Sequence, residues 1–128
     1  MEITVRTGAE RVLVDITDRV TDAIRETGGE EGVYMVYVPH TTAGVTINEG
    51  ADPSVARDIG MAFERLAPED LSYEHAEGNS PAHVMACIAG SSVLVGWSDG
   101  ALELGTWQSV FFCEFDGPRT RRAWVRRL

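Results

Sequence analysis

The run Val33–Val38 (VYMVYV) constrains this chain more than any other stretch. Six consecutive apolar or aromatic residues, half of them valine, suit a central strand covered on both faces. Trp107–Phe115 makes the same demand: Trp107, Phe111, Cys113 and Phe115 point one way, Val110 and Phe112 the other. A strand with two apolar faces requires two packed layers, or one layer plus a subunit interface. Ile3–Arg6 and Arg11–Ile16 read as an N-terminal strand pair, and Gly44–Asn48, Ser92–Val95, Ala101–Leu104 and Arg121–Arg127 as further strands. Asp116-Gly117-Pro118 is the expected turn between the last two. Asp52-Pro53 supplies a cap and a first-turn proline for a helix whose Val55, Ile59, Phe63 and Leu66 share one face. A second helix starts at Ser80-Pro81 and stops at Gly90. Val20, Ala23 and Ile24 fit a shorter one before Gly28-Gly29. The expected product is a single α+β domain over residues 1–128, with mostly antiparallel, β-sandwich-like sheets and two main helices.

Composition removes whole classes of chemistry. The chain has no lysine, so Schiff-base catalysis, a Walker lysine and a lysine general base are excluded. Its two cysteines, Cys87 and Cys113, lie far apart in apolar runs, which excludes CxxC zinc and redox motifs and reads as two buried free thiols. The net charge of -9 disfavours nucleic acid, and the five arginines of residues 119–128 are better matched to nearby acids or a small anion. No apolar run reaches membrane-spanning length, so no membrane partner is expected. MEITVRTGAE lacks a basic-then-apolar leader, so the cytoplasm is the expected compartment.

The residues able to carry chemistry are few. The three histidines, His40, His75 and His83, lie outside helical apolar stripes. Three imidazoles with open coordination positions would form a catalytic divalent-metal site, zinc being the usual occupant; on spacing alone, three unrelated surface or capping histidines are the commoner case. Thr41 and Thr42 offer hydroxyls and backbone N–H groups to a phosphate or carboxylate, against the plainer reading of a connecting turn. The start of the His83 helix, at Ser80, is a second anion candidate. Glu49, between a strand and a helix, is placed for a proton acceptor, whereas Asp58 reads as a solvated charge. Arg119, at the tip of a hairpin turn formed with Asp116-Gly117-Pro118, can grip a phosphate bidentately or stand as an ordinary exposed arginine.

Taken together, HTTAGVTINEGADPSVARDI (40–59), His75 with NSPAH (79–83), Gly90, and GALELGTWQSVFFCEFDGPRTRR (100–122) resemble the YjbQ-like family, also described as secondary thiamine-phosphate synthases. The first 30 residues carry little of the resemblance, and Gly96-Trp97 stands where a proline-containing turn is expected. The resemblance implies a compact α+β domain, a homotrimer with sites near subunit interfaces, and a divalent metal on His40, His75 and His83. It also implies condensation of hydroxymethylpyrimidine diphosphate with hydroxyethylthiazole phosphate, as a main or a side activity. In that chemistry the metal, Arg119, Thr41 and Thr42 would hold the departing pyrophosphate, and Glu49 would accept a proton. A metal-dependent hydrolase of small phosphorylated metabolites, and a non-catalytic trimeric metal- or metabolite-binding protein, are the alternatives.

Overall fold

A computed structural model describes residues 1–128. Its strands are β1 (Glu2–Arg6), β2 (Val12–Asp15), β3 (Gly32–Tyr37), β4 (Ala43–Glu49), β5 (Ser92–Ser98), β6 (Ala101–Leu102), β7 (Gln108–Glu114) and β8 (Thr120–Arg127). Its helices are α1 (Thr17–Glu26), α2 (Pro53–Leu66) and α3 (Ser80–Ala89). The strands form a five-stranded sheet, β1-β8-β3-β5-β6, and a three-stranded sheet, β2-β7-β4, and every pairing is antiparallel.

The two-faced pattern of Trp107–Phe115 resolves into two cores on either side of β7. Val110 and Phe112, both fully buried, join Val36, Val38, Val45 and Trp97 between the sheets. Cys113 and Phe115 turn the other way, to Met85 of α3, Ala82 and Ala67. The molecule is therefore sheet, sheet and helical layer, with α1 adding Val20, Ala23 and Ile24 to the inter-sheet core. Trp107 does not take part and is 65% exposed. Gly44 shows how closely the layers meet: a Cβ there would lie 2.6 Å from the Gly90 carbonyl oxygen, which accepts the Val45 N–H.

Several expectations need correction. The N-terminal strands do not pair with each other; β1 adds to β8 and β2 to β7, in different sheets. β7 and β8 likewise fall in different sheets, so Asp116-Gly117-Pro118 is a crossover rather than a hairpin tip. There are three substantial helices, since α1 is as long as α3. The apolar stripe of α2 touches a core only through the half-buried Phe63, which packs against Phe115: none of its 14 residues is fully buried, and Leu66 is 64% exposed. Cys113 is buried, but Cys87 is exposed. β3 is central, yet only its inner face is covered. Tyr34, Val36 and Val38 are buried, whereas Val33 is 44% exposed and its sheet neighbour Leu94 58%; Met35, paired with Leu94, is half-buried. Tyr37 stacks on Trp124 beside them, centroids 5.6 Å apart. An apolar sheet face of this kind is what an association surface looks like.

Candidate functional site

Two polar clusters flank the β7–β8 crossover. The first is buried. Glu114 closes β7 with no exposed surface, and Arg121, 4% exposed, opens β8. Arg121 donates from Nη2 to Glu114 Oε2 at 2.6 Å and from Nε to Oε1 at 2.9 Å. Thr7 Oγ1 and the N–H groups of Phe115 and Asp116 also donate to this carboxylate. The remaining reach of Arg121 goes to Thr42 Oγ1 at 2.8 Å. Burial pushes the Glu114 carboxyl up, but these donors together hold it below its ordinary range. The Thr42 hydroxyl is thus spent inside the protein, while Thr41 stays exposed.

His40 stands at the edge of this network. Its Nε2 accepts the backbone N–H of Arg122 at 3.0 Å, which places the lone pair on Nε2 and the ring proton on Nδ1. Burial, with the positive charges of Arg121 and Arg122, lowers its pKa below 6.5, against the opposing pull of Glu114.

The second cluster is open. The Tyr73–Asn79 segment brings His75 to His83 of α3, and the rings meet edge to face with centroids 5.4 Å apart. Asn79 precedes α3; its carbonyl accepts the His83 N–H, and its Nδ2 donates to Asp116 Oδ2 at 3.0 Å. Arg119 donates from Nη2 to the same Asp116 oxygen at 2.8 Å and from Nε to the Asp116 carbonyl at 2.7 Å. Half of the Arg119 side chain remains exposed. The crossover is thereby tied to the start of α3, so an exposed guanidinium, a helix N-terminus and two imidazoles belong to one connected region. Asn79 Oδ1 is buried there without a donor.

The three histidines of the sequence expectation are not gathered in one chain. His75 and His83 adjoin, His40 does not join them, and no three His, Cys, Asp or Glu side chains are grouped to hold a metal ion. The donor set of a single chain therefore fits a divalent cation in two positions only. Glu49 lies elsewhere again, at the end of β4 on the wall of a cavity beneath α2. Asp58 is exposed on α2, the solvated charge expected of it. The Glu114–Arg121 pair was not foreseen; its one signal is an acid ending an apolar strand, seven positions before an arginine that alternates with Ala123 and Val125.

The sequence profile described as UPF0047 protein YjbQ-like matches residues 1–128. The chain belongs to the YjbQ-like (UPF0047) family. UPF0047 protein MJ1081 of Methanocaldococcus jannaschii is 47% identical over 122 residues, covering 95% of this chain and 88% of that protein. YugU of Bacillus subtilis is 42% identical over 125 residues, covering 97% and 95%. Among solved structures, a YjbQ/UPF0047-family protein of Clostridium acetobutylicum superposes with a TM-score of 0.95 at 44% identity, covering 100% of this chain and 99% of the other. TT1486 of Thermus thermophilus gives 0.93 at 43%, with the same coverage. This YjbQ-like chain thus shares the family's α+β fold over its whole length, and none of its helices is long and apolar enough to cross a membrane.

Proposed function

We propose that this YjbQ-like chain is a divalent-metal-dependent enzyme acting on small phosphorylated metabolites, with the His75–His83 region as its site. The observation that carries the proposal is the meeting of two imidazoles at the start of α3, in the region where Asn79 and Asp116 tether the exposed Arg119. The first-turn N–H groups of α3 and the guanidinium of Arg119 suit a phosphate or diphosphate. The bound cation, zinc being the usual choice for imidazole ligands, supplies charge neutralisation to a departing pyrophosphate.

Two imidazoles are too few for such an ion, so the set is completed from a second copy of the chain. His40 is the donor proposed. Its lone pair lies on Nε2, the atom that would hold the ion. The uncovered apolar face carrying Val33, Met35 and Leu94 supports assembly, and the family resemblance favours a homotrimer. The reaction proposed is thiamine-phosphate synthesis. The methylene carbon of hydroxymethylpyrimidine diphosphate bonds to the thiazole nitrogen, and pyrophosphate leaves with the electron pair of the broken C–O bond. Arg119 and the α3 N–H groups hold the leaving group.

The test is metal content and turnover of untagged protein. Wild type is expected to carry stoichiometric divalent metal. His75→Ala and His83→Ala lose metal and turnover while keeping the fold, and His40→Ala loses metal without disturbing the His75–His83 pair. Arg119→Ala raises KM for the diphosphate about tenfold or more, the loss of one charge-assisted contact. Metal-free His83→Ala protein that still turns over ends the proposal.

A further inference from the structure

Helix α2 is amphipathic and well capped: Asp52 accepts from Ser54 N–H at 2.9 Å, and Pro53 follows. Yet none of its residues is fully buried: apart from Phe63, which packs on Phe115, its inner face stands over a cavity of about 570 Å³. Pro53, Ala56 and Gly60 form a low wall on the helix side, while Val12, Leu13 and the exposed Met61 supply apolar surface above the buried Met85, Phe111 and Phe115. A Cβ on Gly60 would meet nothing within 4 Å. A mid-helix glycine costs about 1 kcal/mol against alanine, so open space at this position comes at the expense of helix stability. The volume is that of a small-molecule pocket, and the walls include no histidine and not Arg119.

The polar groups around the floor set the charge of the occupant. Asp15, Glu49, Asp52 and Glu64 face only Arg11 and Arg57, the buried Glu114 being neutralised by Arg121. Arg11 is already shared among Glu10, Glu64 and Glu69. Asp15 and Asp52 each spend one oxygen, on Thr17 and Ser54. Glu49 has no side-chain partner in the protein. The balance is negative, and an anion would meet repulsion.

We propose that this cavity is a second ligand site, independent of the histidine region, for a small organic cation with an apolar or aromatic body. Its ammonium group pairs with Glu49, and its body lies on Val12, Leu13 and Met61.

The experiment uses three probes of one shape: tyramine (cation), tyrosol (neutral) and phloretate (anion). Binding is followed through the methyl resonances of the chain's four methionines, two of which, Met61 and Met85, line the cavity while Met1 and Met35 do not. Tyramine is expected to shift Met61 and Met85 and leave Met35 in place, and to bind at least about tenfold more tightly than phloretate. Glu49→Gln and the cavity-filling Gly60→Leu each weaken tyramine about tenfold, whereas Gly60→Ala and His75→Ala leave its affinity unchanged. If Gly60→Leu is poorly folded, Glu49→Gln with the probe series carries the test alone. Equal or tighter binding of phloretate, shifts confined to Met1 or Met35, or no binding of tyramine overturns the proposal.

Discussion

The two clusters at the β7–β8 crossover hold similar groups in opposite conditions. Around Glu114 and Arg121 both charges are buried and nearly every donor and acceptor is matched, with Thr7, Thr42 and two backbone N–H groups completing the set. Around His75, His83 and Arg119 the charged side chains are half in water, the imidazoles make no hydrogen bond through their rings, and Asn79 Oδ1 has no donor. A buried polar set that is fully matched serves cohesion, because any defect in it is costly. A set with capacity left over at the surface is where an outside ligand gains most. Burial together with saturation, rather than residue type, separates the structural pair from the candidate site.

The sharpest way to break this contrast is to remove one half of the buried pair. Glu114→Ala leaves the Arg121 charge uncompensated and is expected to cost about 3–5 kcal/mol in denaturant unfolding. Replacing both, as Glu114→Leu with Arg121→Met, should recover most of that loss; a double variant as weak as the single one would show that the pair itself stabilises strongly. Acid gives a second route. The Glu114 carboxyl lies below its ordinary 4.5 in the fold, so its contribution is complete above 4.5 and fades as pH falls through the lower folded value. His40, held below 6.5, acts in the same direction: the unfolded chain takes up the proton first, so stability is lost from about 6.5 downward. Thermal unfolding should therefore show Tm falling in two stages on acidification, and Glu114→Gln should flatten the lower one. The open cluster should be far less sensitive. Arg119→Ala is expected to cost about 0–1 kcal/mol, as for exposed ion pairs. His83→Ala should stay within about 0.5 kcal/mol, measured in the same denaturant series. A large loss from either would place that cluster with the structural one.

Local pattern revealed much of this architecture and little of its long-range pairing. The apolar runs identified β3, β4 and β7, and the Asp52-Pro53 cap placed α2 at its observed start. The two-faced β7 implied two packed layers, or one layer and an interface, and the fold sets a core on each side of it. Turn chemistry at Asp116-Gly117-Pro118 signals reversal but carries no information on which sheet receives the next strand, so the crossover was read as a hairpin. The spacing of Val55, Ile59 and Phe63 specifies an apolar stripe but not whether a core or a cavity lies under it. Phe63 alone reaches a buried partner, edge-on to Phe115 with centroids 5.3 Å apart. Among the candidate site residues, the fold joins His75, on the connection between α2 and α3, to His83, and leaves His40 and Glu49 in other places. Exposed apolar residues such as Val33 and Leu94 are legible as strand formers, but a single sequence does not say that the fold leaves them uncovered.

β7 has a consequence for motion as well as for packing. It is the middle strand of its sheet, bonded on both sides, and it delivers fully buried side chains in two directions, Phe112 to one core and Cys113 to the other. Neither the outer sheet nor the helical layer can swing away without uncovering an apolar surface of this strand. Its central amides should therefore be among the slowest to trade hydrogen for deuterium, at a rate set by whole-molecule opening, while those of α2 trade early.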